Sequence, residues 1–245
     1  MSSDVAGCHD VAMWSALGWG ALAASSVVIG ALLGLVRSWH RGAVGMVLAF
    51  GAGALISSVA YELVEDGLRT SGPAPIGIGL ALGALVFYLA DRAVERLNSG
   101  ASSGLPLALG ALLDGVPEQL VLGLGLASGG GISLALFASI FVSNLPEGLG
   151  SAAEMRDAGR SRRSIFGLWT VVAVCSTLAT LAGFGLAEVL PAAVGAGVNG
   201  FAAGALLVML TDSMIPEAQS KASGKAGLAT VLGFAMAMSL SLLQP

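Results

Sequence analysis

The chain has 245 residues, of which 56% are hydrophobic and only 11% charged, and its formal net charge is −4. A soluble domain carries roughly 25% charged residues, so the composition excludes an ordinary soluble fold and points to a polytopic membrane protein. The acidic balance argues against a nucleic-acid partner, and the two cysteines, Cys8 and Cys175, make neither a disulfide framework nor a thiolate metal motif.

Taken in order, apolar runs long enough to span a bilayer lie at about 11–36, 43–68, 74–90, 104–128, 131–153, 165–190, 193–219 and 226–243. The first has no basic leader and is longer than a signal-peptide core, so it reads as a retained helix. The third continues as a charged helix through Asp91, Arg92, Glu95 and Arg96. The turn at 129–130 is so short that the fourth and fifth helices are expected to be antiparallel neighbours. The expectation is an all-α fold: a polytopic membrane helix bundle of eight transmembrane helices, forming one domain over 1–245. The 36 glycines suit close helix approach in lipid. Trp14, Trp19, Trp39 and Trp169 read as interface anchors.

Orientation follows from the basic residues. With the N-terminus outside, all 11 Lys and Arg residues except Arg69 fall on cytoplasmic segments. The positive-inside asymmetry therefore puts both termini outside.

An internal repeat relates the second and seventh helices. Phe50-Gly51-Ala52-Gly53-Ala54-Leu55 matches Phe201-Ala202-Ala203-Gly204-Ala205-Leu206, and the two helices cross in opposite senses. Helices 1–3 and 6–8 are thus expected to form an inverted repeat, an architecture common among secondary transporters.

Chemistry concentrates in the fourth and fifth helices. The fourth carries Asp114-Gly115-Val116-Pro117-Glu118-Gln119 and the fifth Ser143-Asn144-Leu145-Pro146-Glu147-Gly148. Positions i and i+4 share a helix face, which aligns Asp114 with Glu118 and Ser143 with Glu147, with Asn144 adjacent. Each proline removes a backbone hydrogen bond and frees a carbonyl one turn earlier. Carboxylates at membrane depth cost roughly 2.5–3.5 kcal/mol each on insertion scales, so a matched set beside two prolines suggests a site for a hard or borderline divalent cation. Glu62 in the second helix and Asp212 in the seventh lie deep enough to line the two halves of a pathway. Glu65, Asp66 and Glu217 fit solvated helix ends at least as well.

These runs resemble the ZIP family of divalent-metal transporters, whose fourth and fifth helices carry motifs like His-Asn-x-Pro-Glu-Gly and His-Glu-x-Pro-Glu-Gly. The seventh-helix run Phe201–Ala205, then Ile215-Pro216-Glu217-Ala218, and Ala60-Tyr61-Glu62-Leu63 in the second helix are also similar to the family pattern. The resemblance implies eight helices, both termini outside, inverted symmetry and metal uptake toward the cytoplasm across the plasma membrane. It also implies roles residue by residue. Glu118 and Glu147 match the motif glutamates, Asp114 and Ser143 stand where histidines would be, Asn144 takes the second acidic position, and Asp212 and Ser213 match a polar pair of the seventh helix. The implied metal site is Asp114, Glu118, Ser143, Asn144, Glu147, Asp212 and Glu62.

The sixth-helix run 166–187 has no carboxylate, which implies one metal rather than two. Loss of both histidines weakens the case for zinc, the usual family cargo, against manganese or iron. The expected partners are the transported metal and the lipid bilayer, with a homodimer allowed and no resident cofactor. Two other readings stay open: a transport-inactive metal sensor or assembly partner, and an intramembrane metal-dependent hydrolase. The second lacks a visible nucleophile–base pair or a histidine-rich catalytic set.

Overall fold

A computed structural model describes residues 2–37, 39–98, 104–127, 132–222 and 224–243. The turn expected at 129–130 and the chain end at Pro245 lie outside the described residues. The elements are α1 (Ser2–Val36), α2 (Arg41–Ser58), a π-helical turn (Val59–Glu65), α3 (Asp66–Ser71), α4 (Pro73–Asn98), α5 (Gly104–Ala127), α6 (Leu134–Asp157), α7 (Arg162–Val189), α8 (Ala192–Met209), a second π-helical turn (Leu210–Met214), α9 (Ile215–Ala222) and α10 (Ala226–Leu243). Among the described residues, the regular structure is entirely helical.

Among the described residues, seven helical stretches are long and apolar enough to cross a membrane: Val11–Val36, Arg41–Ser71, Pro73–Arg96, Leu109–Ala127, Arg162–Ala187, Ala192–Ala222 and Ala226–Leu243. The chain is a multi-pass membrane protein. Eight spans were expected. The remaining helix, α6, has 24 residues, more than the roughly 20 a hydrocarbon core requires. Ser139, Ser143, Asn144 and Glu147 lower its hydropathy, and they are the residues that make it chemically interesting.

The outer helices wear their apolar residues outward. Leu82, Leu85 and Leu89 of α4, Val171, Val174 and Leu178 of α7, and Leu228, Val231 and Leu232 of α10 are all exposed. Such a belt suits hydrocarbon and would be unstable in water. Inside, α6 is the central helix and touches α1, α2, α5, α7 and α10.

The helices pack as close pairs: α1 with α6, α5 with α7, α2 with α10 and α4 with α8. Two of these pairs use glycine in the same way. A Cβ on Gly53 of α2 would collide with the Thr230 carbonyl of α10, and one on Gly233 of α10 with the Phe50 carbonyl of α2. Likewise a Cβ on Gly204 of α8 would strike the Leu80 carbonyl of α4, and one on Gly83 of α4 the Phe201 carbonyl of α8. Backbones this close exclude any side chain. Gly233→Val should therefore lower the Tm of the detergent-solubilised protein by about 3–10 °C, since overpacking costs about 1–3 kcal/mol. Gly227→Val in the same helix, where nothing lies within 4 Å of a built Cβ, should leave Tm unchanged. Equal behaviour of the two variants would contradict this packing.

The π-helical turns sit inside two continuous rods of equal length, Arg41–Ser71 and Ala192–Ala222, each of 31 residues. The register that pairs Phe50 with Phe201 also pairs Val59 with Leu210, the first residue of each π turn. A π turn inserts one extra residue per turn and re-aims every side chain beyond it.

Candidate functional site

The site is built where α5 and α6 pass each other. Pro117 and Pro146 both lie inside their helices. The start of α6 is fixed by Ser133, whose hydroxyl accepts from the Leu136 amide at 3.1 Å.

Glu118 is 1% exposed and is held by α6. Asn144 Nδ2 donates to Glu118 Oε2 at 2.7 Å, and Ser143 Oγ lies 3.5 Å from Glu118 Oε1. Asn144 Nδ2 also donates to the Ile140 carbonyl at 2.9 Å, and the Ser143 hydroxyl to the same carbonyl at 3.0 Å. With its amide protons directed at Glu118 and Ile140, Asn144 has only its carbonyl oxygen to offer a cation. The neighbouring Gln119 accepts from Thr180 Oγ1 of α7 at 2.6 Å, while its Nε2 is buried without a partner among the described residues.

Asp114 and Glu147 are half-buried and line a cavity of about 230 Å³. Asp91 and Glu95 of α4, Ser151 of α6, Trp169 of α7, Met209 at the end of α8, Ser213 and Glu217 line it as well. Asp114 feels the charges of Asp91 and Glu217, and Glu147 those of Asp114, Glu118 and Glu217. Several carboxylates around one small space in an apolar bundle repel one another unless a cation enters. The cavity lies toward the end of the bundle that carries Arg92, Arg96 and Lys221, here called the basic end.

Glu62 lies at the opposite end. It lines a cavity of about 180 Å³ with Asp66, Ser133 and Asn199 and accepts from Ser241 Oγ of α10 at 2.5 Å. Ile140 of α6 and Leu206 of α8, both buried, lie between the two cavities along their helices. Asp212 joins neither cavity. It is exposed beside Thr211, with an oxygen 3.5 Å from the Thr211 hydroxyl, and Ser213 faces the acids instead. Met209, Ser213 and Glu217 follow one another at i, i+4 and i+8 on one helix face, and Asp212 falls off that face.

The structure thus brings Asp114 and Glu147 to one cavity, keeps Glu118, Ser143 and Asn144 bonded together behind them, and separates Glu62 and Asp212. Among the described residues, no three His, Cys, Asp or Glu side chains converge closely enough to hold a metal ion. Glu118 Oε2 is taken by the Asn144 amide, while Oε1 lies 3.5 Å from a Ser143 hydroxyl that donates to Ile140.

Two features of the cavity escape the sequence reading. Asp91 and Glu95 read as the charged end of a helix, although their i,i+4 spacing does put them on one face. Trp169, read as an interface anchor, is 1% exposed and lines the acid cavity; its Nε1 is buried without a partner among the described residues. No protein-family model matches the chain, and no curated protein matches it.

Proposed function

We propose that the chain is a divalent-cation transporter that moves metal toward the cytoplasm by alternating access, and that it is a divergent relative of the ZIP family. The observation that carries this reading is the facing pair Asp114 and Glu147, with Glu118 one turn behind Asp114, at the crossing of two proline-bearing helices inside an apolar bundle. Carboxylate, amide and hydroxyl oxygens are the ligands of hard and borderline divalent cations. The cavity carboxylates could serve as bases, but they are gathered around one space without a histidine or cysteine among the described lining residues, so transport rather than hydrolysis is the better use of these groups.

In this reading α6 is the eighth span, and its polar residues are sheltered by α1, α2, α5, α7 and α10. The inverted repeat is part of it too. The matching π turns, the reciprocal glycine contacts of α2 with α10 and of α8 with α4, and a similar exchange in the other two pairs support it. There, Gly148 of α6 abuts the Val27 carbonyl of α1 as Gly123 of α5 abuts the Thr180 carbonyl of α7. An acid cavity toward the basic end and a buried apolar barrier toward Glu62 fit a state open to the cytoplasm, with Glu62 waiting at the closed outer side.

Uptake by the purified protein in proteoliposomes, run against zinc, manganese, iron(II), cobalt, cadmium and magnesium, tests the proposal. Saturable uptake of at least one ion is expected. Metal binding without uptake would favour a sensor, and neither would refute both. The orientation has its own test in intact cells. A cysteine introduced at Lys225 should resist an impermeant thiol reagent, because the basic end is assigned to the cytoplasm in the plasma membrane, and ready labelling would reverse the assignment.

A further inference from the structure

Lys221 stands next to the acid cavity, paired with a residue of its wall. Its ammonium donates to the Glu217 carboxylate one turn earlier in α9. Glu217 lines the cavity of Asp114 and Glu147, whereas Lys221 lines a separate cavity of about 340 Å³ with Trp39, Arg41 and Arg156. The pair therefore straddles two spaces at the basic end.

An exposed i,i+4 pair is weak because both side chains wander and water screens them. This one is asymmetric. The Lys221 side chain is 11% exposed and that of Glu217 43%. Lys221 is confined from two sides. A Cβ on Gly45 of α2 would lie 2.7 Å from the Lys221 Cβ, and a Cβ on Gly150 of α6 would lie 3.3 Å from Nζ. Among the described residues Glu217 is its one ion-pair partner. The ammonium is thus fixed beside a carboxylate that a cation leaving Asp114 and Glu147 toward the basic end would meet.

We propose that Lys221 is the tethered counter-ion of the acid cavity: its ammonium holds Glu217 when no metal does, and a divalent cation must displace it to use Glu217. This inference rests on the transport reading above. A doubly charged ion out-competes the single charge of the ammonium while it is present, and the returning ammonium favours its departure. Lys221 therefore sets how long the ion stays, while Asp114 and Glu147 determine whether it is held at all.

The test measures Mn²⁺ uptake into proteoliposomes and Mn²⁺ binding to the purified protein by calorimetry. Lys221→Gln should lower both KM and turnover about fivefold, the size of a modest coupling between neighbouring sites. Lys221→Arg keeps the charge and should stay near the parent. In a Glu217→Gln background, Lys221→Gln should add nothing. Should Lys221→Gln fail to fold, Lys221→Met keeps the buried stem and carries the same expectation. Parent-like KM and turnover in the neutral variants, or an equal effect without Glu217, overturns the proposal. If instead the parent neither binds nor moves any of the six ions of the uptake panel, or Glu147→Gln leaves binding and uptake intact, the transport reading itself fails and this inference fails with it.

Discussion

Glu147→Gln and Glu118→Gln should each reduce metal uptake to below about a tenth of the parent rate while the protein still reaches the membrane. Gln has nearly the volume of Glu and keeps one oxygen, so packing between α5 and α6 survives, and what is lost is the charge. Disturbing even a residue that only orients a metal ligand costs about 10–100-fold in affinity or activity, and loss of a ligand's charge should cost no less. The two variants should differ in one respect. Glu147 faces the cavity directly, whereas Glu118 is bonded to Asn144 at 2.7 Å. Asn144→Ala should therefore release Glu118 and change metal affinity only while Glu118 is present. The measurements are initial uptake rates and equilibrium binding with protein amount quantified. Parent-level uptake by Glu147→Gln would remove the site from consideration, and an Asn144→Ala effect that persists in Glu118→Gln would show that Asn144 acts by another route.

The helices were legible and their faces were not. The apolar runs mark the helices to within a few residues, since hydrocarbon permits little besides continuous helix. The i,i+4 relation of Asp114 and Glu118 was legible for the same geometric reason. Which side of each helix faces its neighbours is another matter. These helices are apolar nearly all round, so the usual amphipathic signal is missing. Trp169 illustrates the consequence: placed near the start of a long apolar helix, it reads as an interface anchor, yet it packs inward on the acid cavity. Asp212 illustrates a second cause. Its depth along the helix is what singles it out, whereas the cavity takes Met209, Ser213 and Glu217, spaced i, i+4 and i+8 on a face that Asp212 does not share. Asp91 and Glu95 illustrate a third. Their chemistry is plain in the sequence, but their meeting with Asp114 depends on α4 lying along α8 beside α5, which is a tertiary fact.

Replacing Asp114 by His should move metal preference toward zinc. Asp114, Glu118, Asn144 and Glu147 present oxygen and no nitrogen, a set suited to manganese, iron(II) or magnesium at least as well as to zinc. Imidazole adds the ligand that favours zinc and later transition metals. Asp114 is the position for this change because it is half-buried and faces a cavity of about 230 Å³, which has room for the ring. Ser143, the other residue standing where the ZIP pattern has histidine, is fully buried against Gly51 of α2; a Cβ on that glycine would already lie 2.9 Å from the Ser143 Cα. A ring at 143 would force α2 and α6 apart, so a double histidine variant would confound ligand chemistry with misfolding. In Asp114→His the zinc-to-manganese preference should rise about tenfold or more at pH 7.5, a difference of about 1.4 kcal/mol. It should decline as pH falls through about 6.5, where a free imidazole takes up a proton and can no longer bind metal. The parent has no imidazole here, so its preference ratio should stay flatter across that interval. Competition by each ion against one radiolabelled metal, in both proteins at several pH values, decides it. If the parent already prefers zinc over manganese by orders of magnitude and Asp114→His does not differ, ligand type does not set selectivity. Glu62 and the acids at the two cavity mouths would then be the place where ions are sorted.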